Sequence, residues 1–341
     1  MKIDYSISII VPAYNSGKTL FECLKKICSE AKNFTSEVIV IDDNSSDNTY
    51  EVAKNFNTVK LLKLKKNRGV GYVRNLGARI AKNKTICYVD SDLIISEGSI
   101  KNLVDKLYTD TEIGSVGAIQ EVTNLNQKEW SSSFVCAKTC YGFEDVDKEK
   151  EFSEIKSEFC VIDKIFLKEV GGWKSFRNAG GEEYELGYRI NKFGKKIIVI
   201  KNASYKTYYV NLYLRFLKII DRTEKYLHVF LTKKRFDTVG AFATGNQAFS
   251  SLLTLLILSF IVLNFILDIS FFKELLGIIF VIQLIAEIKF LSFEKKYFGF
   301  KMLSFSILGI QVINLGILLG VIYFILNNIY IFLKKIKGFF T

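Results

Sequence analysis

Short apolar runs and amphipathic segments alternate along the first two hundred residues, whereas the last hundred are almost continuously apolar. Apolar runs that end in polar clusters are typical of buried strands, and apolar positions three or four residues apart are typical of helices. The spacing predicts strand, helix, strand, helix, strand, helix and strand at Ser6–Val11, Thr19–Ala31, Glu37–Ile41, Thr49–Asn55, Val59–Leu64, Val70–Ala81 and Thr85–Val89. Asp47 is the predicted N-cap of the second helix. This alternation predicts an α/β fold, with a mostly parallel sheet and helices on both faces.

The pattern changes after residue 205. Residues 206–245 mix apolar and basic positions at helical spacing, which predicts amphipathic helices lying in a membrane interface. Residues 246–335 form a predicted all-α transmembrane region, whose first segment has about the twenty residues that a spanning helix needs. Its three apolar segments are 248–267, 275–291 and 303–333. We expect Glu287 to end a short helix, near Lys289. The path of the last segment stays open, because three spans would place the lysines after residue 333 against the positive-inside rule.

The net charge of +12 raises the question of a nucleic-acid partner. Residues 1–200 contain no basic arm interleaved with aromatic residues, so we predict no nucleic-acid partner. The basic residues that cluster do so just before the apolar segments, at Arg215, Lys218, Arg222, Lys225, Lys233, Lys234 and Arg235. Each contributes about 1 kcal/mol of attraction near an anionic leaflet, which makes a membrane surface the predicted partner.

The six cysteines show no paired zinc-binding spacing. Buried, reduced thiols are the simpler interpretation, and they fit a domain kept in the cytosol. We therefore expect an integral protein of the cell membrane whose first domain, residues 1–205, lies on the cytosolic side.

Acidic side chains follow the predicted strands at the points where the strands end. Asp90-Ser91-Asp92 follows the fourth strand, Asp42-Asp43 follows the second, and Pro12-Ala13-Tyr14 follows the first. The carboxyl ends of parallel strands meet at one edge of a sheet, where ligands of such folds bind. Mg²⁺ and Mn²⁺ bind through one or two carboxylates together with substrate phosphates. The sequence thus predicts Mg²⁺ or Mn²⁺ and a nucleoside diphosphate at this edge.

Five motifs occur in order along residues 6–200. They are Ser8–Asn15, Val40–Thr49, Asn67–Gly69 with Arg74–Gly77, Asp90–Asp92, and Gly171–Trp173 with Gly181–Leu186 and Arg189. Together they resemble the motifs of family 2 glycosyltransferases, which have the GT-A fold. The resemblance implies a GT-A catalytic domain over residues 1–205 and a nucleotide-sugar donor.

The resemblance also implies which residues bind the nucleotide: Pro12, Tyr14, Asp43, Arg74 and Asp90. The Tyr14 ring can stack on a base, which is worth ~1–3 kcal/mol, and Asp43 can accept a hydrogen bond from the base. Arg74 can offer its guanidinium to the nucleotide. Simpler alternatives are core packing for the tyrosine, a turn contact for the aspartate and a surface cation for the arginine. Asp42 is a candidate supporting residue, with the same turn alternative as Asp43.

Asp92 is the implied direct metal ligand, with Asp90 facing the ribose or the sugar at the catalytic centre. Glu183 occupies the position of the catalytic base, which is usually Asp in the family. A base there takes a proton from the acceptor hydroxyl and gives inversion at the anomeric carbon. Glu182 is a competing assignment, and we expect Glu185 to orient the loop. Alternatively, these glutamates are acids in the first turn of a helix that only complement its macrodipole.

One departure from the family concerns histidine. Many relatives carry a histidine near position 207, where this chain has Thr207. The chain contains only His228, which falls in the amphipathic region. Metal binding then depends on Asp92, the substrate phosphates and water.

We therefore expect a membrane-anchored, inverting hexosyltransferase that moves one sugar from a UDP- or GDP-sugar to a hydroxyl of a membrane-associated, lipid-linked acceptor. The chain contains no Q-x-x-R-W motif, which disfavours processive synthesis. A polyprenyl-phosphate sugar synthase is the alternative, although its acceptor is already ionised and needs no base. An inactive, sugar-nucleotide-binding membrane scaffold is the alternative of another class, and the intact acids at 43, 90, 92 and 183 disfavour it.

Overall fold

The computed structural model describes residues 6–125, 129–176, 180–233, 244–267 and 270–337. The chain divides into two compact units. The first comprises the residues up to Leu125 together with Phe143–Tyr208, and the second comprises the residues between these ranges together with those from Tyr209 onward.

The strands and helices are numbered along the chain. The strands are β1 Ser6–Ala13, β2 Thr35–Asp42, β3 Val59–Lys63, β4 Thr85–Val89, β5 Leu93–Ile95, β6 Ile113–Asn124, β7 Glu149–Phe152, β8 Phe159–Asp163 and β9 Lys196–Thr207. The helices are α1 Leu20–Ala31, α2 Thr49–Lys54, α3 Val70–Ile80, α4 Ser99–Leu107, α5 Trp130–Cys140, α6 Lys164–Glu169, α7 Glu182–Lys192, α8 Leu212–Lys233, α9 Gly245–Leu267, α10 Ser270–Ala286, α11 Ile288–Phe298 and α12 Met302–Lys337.

The strands of the first unit form one sheet in the order β3-β2-β1-β4-β8-β6-β9-β5, and β7 also pairs with β9. Strands β1 to β4 are mutually parallel, as predicted, with Ala13 opposite Asp42. The other half of the sheet is mixed, because β8 runs antiparallel to both β4 and β6. The parallel half brings the carboxyl ends of β1, β2 and β4 to a common edge.

Helices cover both faces of the sheet, as predicted. On one face, residues of α1 and α4 share one hydrophobic core with alternate β1 residues such as Ile9 and Val11. On the other face, α3 lies so close to β1 that a side chain at Gly77 would meet Ile10. The period of two along β1 thus assigns successive residues to opposite helical layers.

Helix α5 belongs to the second unit, although the sequence placed it within the domain of residues 1–205. Its Trp130 ring stacks on Phe305 at 4.7 Å between centroids, and its Phe134 meets Phe290 edge-on at 5.9 Å. Lys138 Nζ lies 2.9 Å from Glu287 Oε2, and both side chains are buried. Aromatic packing and a buried ion pair therefore tie this helix to the C-terminal helices.

Helix α8 corresponds to the predicted amphipathic region, and part of its surface packs on α12. Gly316 and Gly320 allow the backbone of α12 to approach α8 at Phe216 and Ile220. Small residues four apart permit such close helix packing, as in membrane helix pairs. The interfacial position of this helix stays a prediction, and the predicted basic residues Lys234 and Arg235 lie outside the described residues.

Two of the described helices are long and apolar enough to cross a membrane, Gly245–Leu267 and Met302–Tyr330. They contain the predicted segments 248–267 and most of 303–333. The predicted segment 275–291 is broken, since α10 and α11 meet at a 61° bend and together count as a third candidate span. The break lies at Glu287, as expected for a helix end, but the carboxylate pairs with Lys138.

A buried polar network joins α9, α10 and α12. Asn314 Nδ2 donates to Ser250 Oγ and Thr254 Oγ1 at 3.0 and 2.9 Å, and Asn314 Oδ1 accepts from Gln247 Nε2 at 2.5 Å. Gln283 Nε2 donates to the same threonine at 2.8 Å. Polar contacts of this kind hold helices together in an apolar solvent, where no water replaces a lost partner.

We expect Asn314→Ala to lower the stability of the second unit by about 1–2 kcal/mol, because it removes the hydrogen bonds that Asn314 makes with buried polar groups of α9, such as the Gln247 amide. Thermal unfolding in detergent micelles measures the change. Asn328→Ala is the matched control, since Asn328 lies exposed on the same helix and its side chain donates to the carbonyl of Phe324. Equal midpoints for the two variants would contradict a role for the network.

Candidate active site

Two left-handed asparagines turn the chain where β1 and β2 end. Asn15 has φ 49° and Asn44 has φ 65°. Ser45 Oγ accepts the Asn15 N–H at 2.9 Å, and Asn15 Oδ1 accepts the Ser46 N–H at 2.9 Å. Neither asparagine was among the predicted site residues, although each follows a strand end by two residues and asparagine tolerates the left-handed conformation. The contacts hold the two strand-end loops together.

Pro12 and Tyr14 lie at the end of β1. Pro12 is buried within the strand, whereas the Tyr14 side chain is 52% exposed. The exposure excludes the core-packing alternative for Tyr14 and leaves its ring accessible, as base stacking requires.

Asp43 connects the end of β2 to the start of α3. Its two carboxylate oxygens accept the backbone N–H groups of Arg68 and Gly69 at 2.7 and 2.8 Å. Burial raises the pKa of Asp43, and these two hydrogen bonds oppose the shift. A contact to a base stays a prediction for Asp43, whose oxygens each already accept one hydrogen bond.

Asp42 is fully buried beside it. One carboxylate oxygen accepts the Ser45 N–H at 2.8 Å, and the other lies 3.7 Å from Lys63 Nζ. These contacts hold the loop that follows β2, and a supporting role of Asp42 in the site stays a prediction. Helix α2 begins after Asn48, not after the predicted N-cap Asp47, although Asp47 does accept the Thr49 N–H at 3.0 Å.

The two acids after β4 have different surroundings. Asp90 is half-buried, and its Oδ1 accepts from Arg74 Nη2 at 2.9 Å. Burial raises the pKa of Asp90 to about 7; Arg74 opposes this shift, while Asp92 and Glu158 add to it. The Asp92 side chain is exposed, and its backbone carbonyl accepts from Thr207 Oγ1 at 3.4 Å. Thr207, at the position near which many relatives carry a histidine, therefore lies beside the predicted metal ligand.

The donor set fits a cation that shares its coordination with a substrate. Among the residues that the structure describes, no three His, Cys, Asp or Glu side chains are grouped to hold a metal by themselves. Asp92 and Asp90 supply carboxylate oxygens at the carboxyl end of a strand. Mg²⁺ and Mn²⁺ keep several waters and bind through one or two carboxylates plus phosphates, which suits this pair.

Arg74 is buried between two carboxylates. Its side chain is 2% exposed, with Nη1 3.6 Å from Glu182 Oε1 and Nη2 bonded to Asp90. The guanidinium also lies over the Trp173 ring, 4.8 Å from its centroid. The neighbouring acids raise the pKa of Arg74. This burial excludes the surface-cation alternative, and direct contact with the nucleotide stays a prediction.

Helix α7 carries the three predicted glutamates in its first turn. It follows Gly181, whose φ of 92° favours glycine. Glu182 is buried and accepts the Gly180 N–H at 2.7 Å, whereas Glu183 is half-buried and its carbonyl accepts the Ile155 N–H at 3.3 Å. Since Glu182 pairs with the arginine that holds Asp90, the start of α7 lies next to the predicted metal-binding strand end.

Glu185 is part of a clamp on the loop that precedes α7. Its carboxylate pairs with Arg189 at 2.6 Å and with Lys174 at 2.7 Å, and Arg189 Nη2 donates to the Gly172 carbonyl at 2.6 Å. Asn75 on α3 holds the same loop by hydrogen bonds to the Trp173 backbone. These contacts agree with the loop-orienting role expected of Glu185.

Comparison with known proteins identifies the family of the first domain. The sequence profile described as "Glycosyl transferase family 2" matches residues 8–167. Residues 8–167 form a glycosyl transferase family 2 domain. A curated relative, the glycosyltransferase GlyG of Streptococcus pneumoniae, is 30% identical over 176 residues, which are 49% of this chain and 51% of GlyG. The chain thus spans about half of this relative, and less of others that it matches.

Two solved structures share the fold. GalNAc-T7 with UDP, GalNAc and Mn²⁺ aligns with a TM-score of 0.52 and 15% identity, over 67% of this chain and 48% of its own. The mannosyltransferase PcManGT of Pyrobaculum calidifontis, in complex with GDP-Man and Mn²⁺, aligns with a TM-score of 0.51 and 18% identity, over 67% of this chain and 63% of its own. The glycosyltransferase domain therefore has the predicted GT-A fold.

We expect Tyr14→Ala to weaken binding of the donor nucleotide by about 5- to 150-fold, because base stacking contributes ~1–3 kcal/mol. Because the ring is exposed, we expect the substitution to leave the stability of the protein unchanged. Isothermal titration of the purified protein with UDP and GDP measures the affinity. Tyr14→Phe is the control and retains the affinity; an unchanged affinity in Tyr14→Ala would rule out stacking at this position.

Proposed function

We propose that the protein is an inverting hexosyltransferase that moves one sugar from a UDP- or GDP-sugar to a hydroxyl of a lipid-linked acceptor at the cytosolic face of the cell membrane. The observation that carries the proposal is the chain of contacts from Asp90 through Arg74 to Glu182. It brings the acidic end of β4 and the first turn of α7 together at one edge of the sheet. The bound UDP and GDP-Man of the two structural relatives support these donor classes.

In the proposed donor site, Tyr14 stacks on the base, and Asp92 with Asp90 would hold Mg²⁺ or Mn²⁺ against the diphosphate. A cation bound there offsets the charge that develops on the departing diphosphate. Asp43 shapes the nucleotide loop by fixing the backbone at residues 68 and 69. Arg74 holds Asp90 in place from inside the protein.

Glu183 acts as the general base in this proposal. Its carboxylate takes the proton of the acceptor hydroxyl, whose oxygen forms a bond to the anomeric carbon. The bond between that carbon and the diphosphate oxygen breaks, and its electron pair leaves with the nucleoside diphosphate. Attack opposite the leaving group inverts the configuration. The side chain sits in the first turn of α7, immediately after the buried Glu182 that anchors this turn.

The C-terminal helices support a membrane-bound acceptor. Two of the described helices are long and apolar enough to span a bilayer, and they follow the glycosyltransferase domain in the same chain. Tethering an enzyme to a membrane confines its encounters to substrates in that membrane, which favours a lipid-linked sugar or glycan as the acceptor.

The test is sugar transfer by the purified full-length protein in vesicles. A panel of UDP- and GDP-sugars is screened with Mn²⁺ for thermal stabilisation, and the donor that binds is then offered with lipid-linked saccharides and with polyprenyl phosphate. We expect release of nucleoside diphosphate and a glycosylated saccharide, both abolished by EDTA and restored by Mn²⁺. Transfer only to polyprenyl phosphate would instead identify a polyprenyl-phosphate sugar synthase. Donor binding without any turnover would support the inactive scaffold.

A further inference from the structure

The structure provides one buried cation for two carboxylates beside the proposed metal site. Arg74 Nη2 donates to Asp90 Oδ1 at 2.9 Å and to the Ser157 carbonyl at 3.2 Å. On its other side, Nη1 lies 3.6 Å from Glu182 Oε1, which is beyond hydrogen-bonding distance. Arg74 is thus hydrogen-bonded to one acid and paired by charge with the other.

Two nitrogens of Arg74 have hydrogen-bonding capacity left over. Nε and Nη1 are buried and lack a hydrogen-bond partner among the described residues. Buried donors without partners are uncommon in folded proteins, and each of them calls for an explanation. Glu182 Oε1 is the acceptor that a small movement would bring within reach of Nη1. Arg74 is therefore placed to shift between its two carboxylates.

The charges around Arg74 affect the binding of a cation at the neighbouring carboxylates. A cation at Asp90 and Asp92 would be attracted by both carboxylates and repelled by the guanidinium behind Asp90. The Glu182 carboxylate offsets that repulsion, and it does so in a buried environment where charges are weakly screened. Without the Glu182 carboxylate, the positive charge of Arg74 would be balanced by Asp90 alone.

We propose that Glu182 is a positioning residue which, by sharing Arg74 with Asp90, sets the affinity of the site for its cation and nucleoside diphosphate. The inference rests on the proposed function, because it assumes that Asp90 and Asp92 hold the cation. Glu182 is then distinct in role from its neighbour Glu183, the proposed base.

The same carboxylate also links cation binding to the start of α7. Glu182 Oε2 accepts the Gly180 N–H at 2.7 Å, so the group that balances Arg74 also fixes the entry to the helix that carries Glu183. Binding linkage is reciprocal. A cation that draws Asp90 away from Arg74 therefore strengthens the pairing of Arg74 with Glu182, and with it the first turn of α7.

The test measures Mn²⁺ binding directly in the full-length protein in detergent, by the loss of the free Mn²⁺ electron paramagnetic resonance signal in the presence of UDP or GDP. We expect Glu182→Gln to weaken Mn²⁺ binding by about 10-fold, which is the lower end of the loss in metal affinity caused by mutating residues that support metal ligands. Glu185→Gln is the matched control, because it removes the same charge from the same helix turn at a carboxylate that pairs with Arg189 and Lys174. We expect it to keep a Mn²⁺ affinity close to that of the parent.

Two further variants separate electrostatics from a general structural defect. Glu182→Asp keeps the charge and is expected to keep most of the affinity. The double variant Arg74→Met with Glu182→Gln removes the uncompensated cation and is expected to bind Mn²⁺ more tightly than Glu182→Gln alone. Circular dichroism confirms that the compared variants are folded.

The outcomes distinguish the inference from the function on which it rests. If the parent protein binds no Mn²⁺ with UDP or GDP, the proposed function fails and the inference fails with it. If the parent binds Mn²⁺ and Glu182→Gln binds it equally well, only the inference is overturned. An equal loss of affinity in Glu182→Asp and Glu182→Gln would likewise overturn it and leave Glu182 a purely structural residue.

Discussion

Glu183→Gln is expected to reduce the rate of sugar transfer by about 10²- to 10⁴-fold, the usual contribution of a general base. The amide has nearly the shape of the carboxylate but cannot accept the proton of the acceptor hydroxyl. Binding of the donor should change little, because Glu183 lies on α7 and the proposed donor contacts lie at the ends of β1, β2 and β4. Turnover at saturating donor and acceptor measures the rate, and titration with the nucleotide measures donor affinity.

Glu183→Asp is the matched control for this prediction. The family usually carries aspartate at the base position, so the shorter acid should retain a substantial part of the rate while the amide does not. Loss of transfer in Glu182→Gln, together with full transfer in Glu183→Gln, would move the base assignment to Glu182. The buried Glu182 side chain, held by Gly180 and Arg74, argues against that outcome.

The expected effect of Glu183→Gln depends on whether the acceptor is a hydroxyl or a phosphate. A hydroxyl has to lose its proton during attack, whereas a phosphate acceptor is already ionised. If Glu183→Gln transferred sugar to polyprenyl phosphate at the parent rate, the base would be unnecessary and the polyprenyl-phosphate synthase would be the better description. The chemistry of the acceptor is thus tested by the same variant as the base.

The first half of the sheet followed closely from the sequence. Thr85–Val89 is a strand with the predicted bounds, and α1 begins at Leu20, one residue from its predicted start. These elements are fully buried apolar runs or strongly amphipathic segments, so their type is decided locally. The mixed half of the sheet was not predicted, because β8 joins β4 and β6 through contacts between residues far apart in sequence.

The position of α5 could not be predicted for the same reason. Its sequence shows which residues avoid water but not which surface buries them. The ion pair between Lys138 and Glu287 joins residues 149 positions apart, and neither side chain identifies the other in the sequence. Helix α5 therefore looked like part of the first domain until its partners were known.

The candidate site was likewise predicted in part: its residues could be identified, but their contacts could not. Motif order identified the acids at residues 43, 90, 92 and 183, and the structure places them at strand ends and at the start of α7. That Arg74 is shared between Asp90 and Glu182 could not be predicted, because it depends on three segments meeting in the fold. Residue chemistry identified candidates, but only the fold revealed which of them interact.

Asp92→Asn is the second substitution expected to have a large effect. It removes the exposed carboxylate that is proposed to bind the cation directly, while Asp90 remains held by Arg74. Stabilisation of a departing diphosphate by a cation is worth several kcal/mol, so we expect turnover to fall by at least about 100-fold. Mn²⁺ affinity in the presence of the nucleotide should fall as well, and excess Mn²⁺ should restore part of the rate.

Asp145→Asn is the control for Asp92→Asn, since it removes an exposed carboxylate elsewhere in the first unit, where Asp145 lies 3.6 Å from Lys150 Nζ. Both variants should keep the thermal stability of the parent, because neither side chain is buried. Steady-state release of nucleoside diphosphate over a range of Mn²⁺ concentrations separates weak cation binding from a loss of chemistry. Parent-level turnover in Asp92→Asn at low Mn²⁺ would show that the Asp92 carboxylate is not needed to hold the cation, and would overturn its assignment as the direct metal ligand.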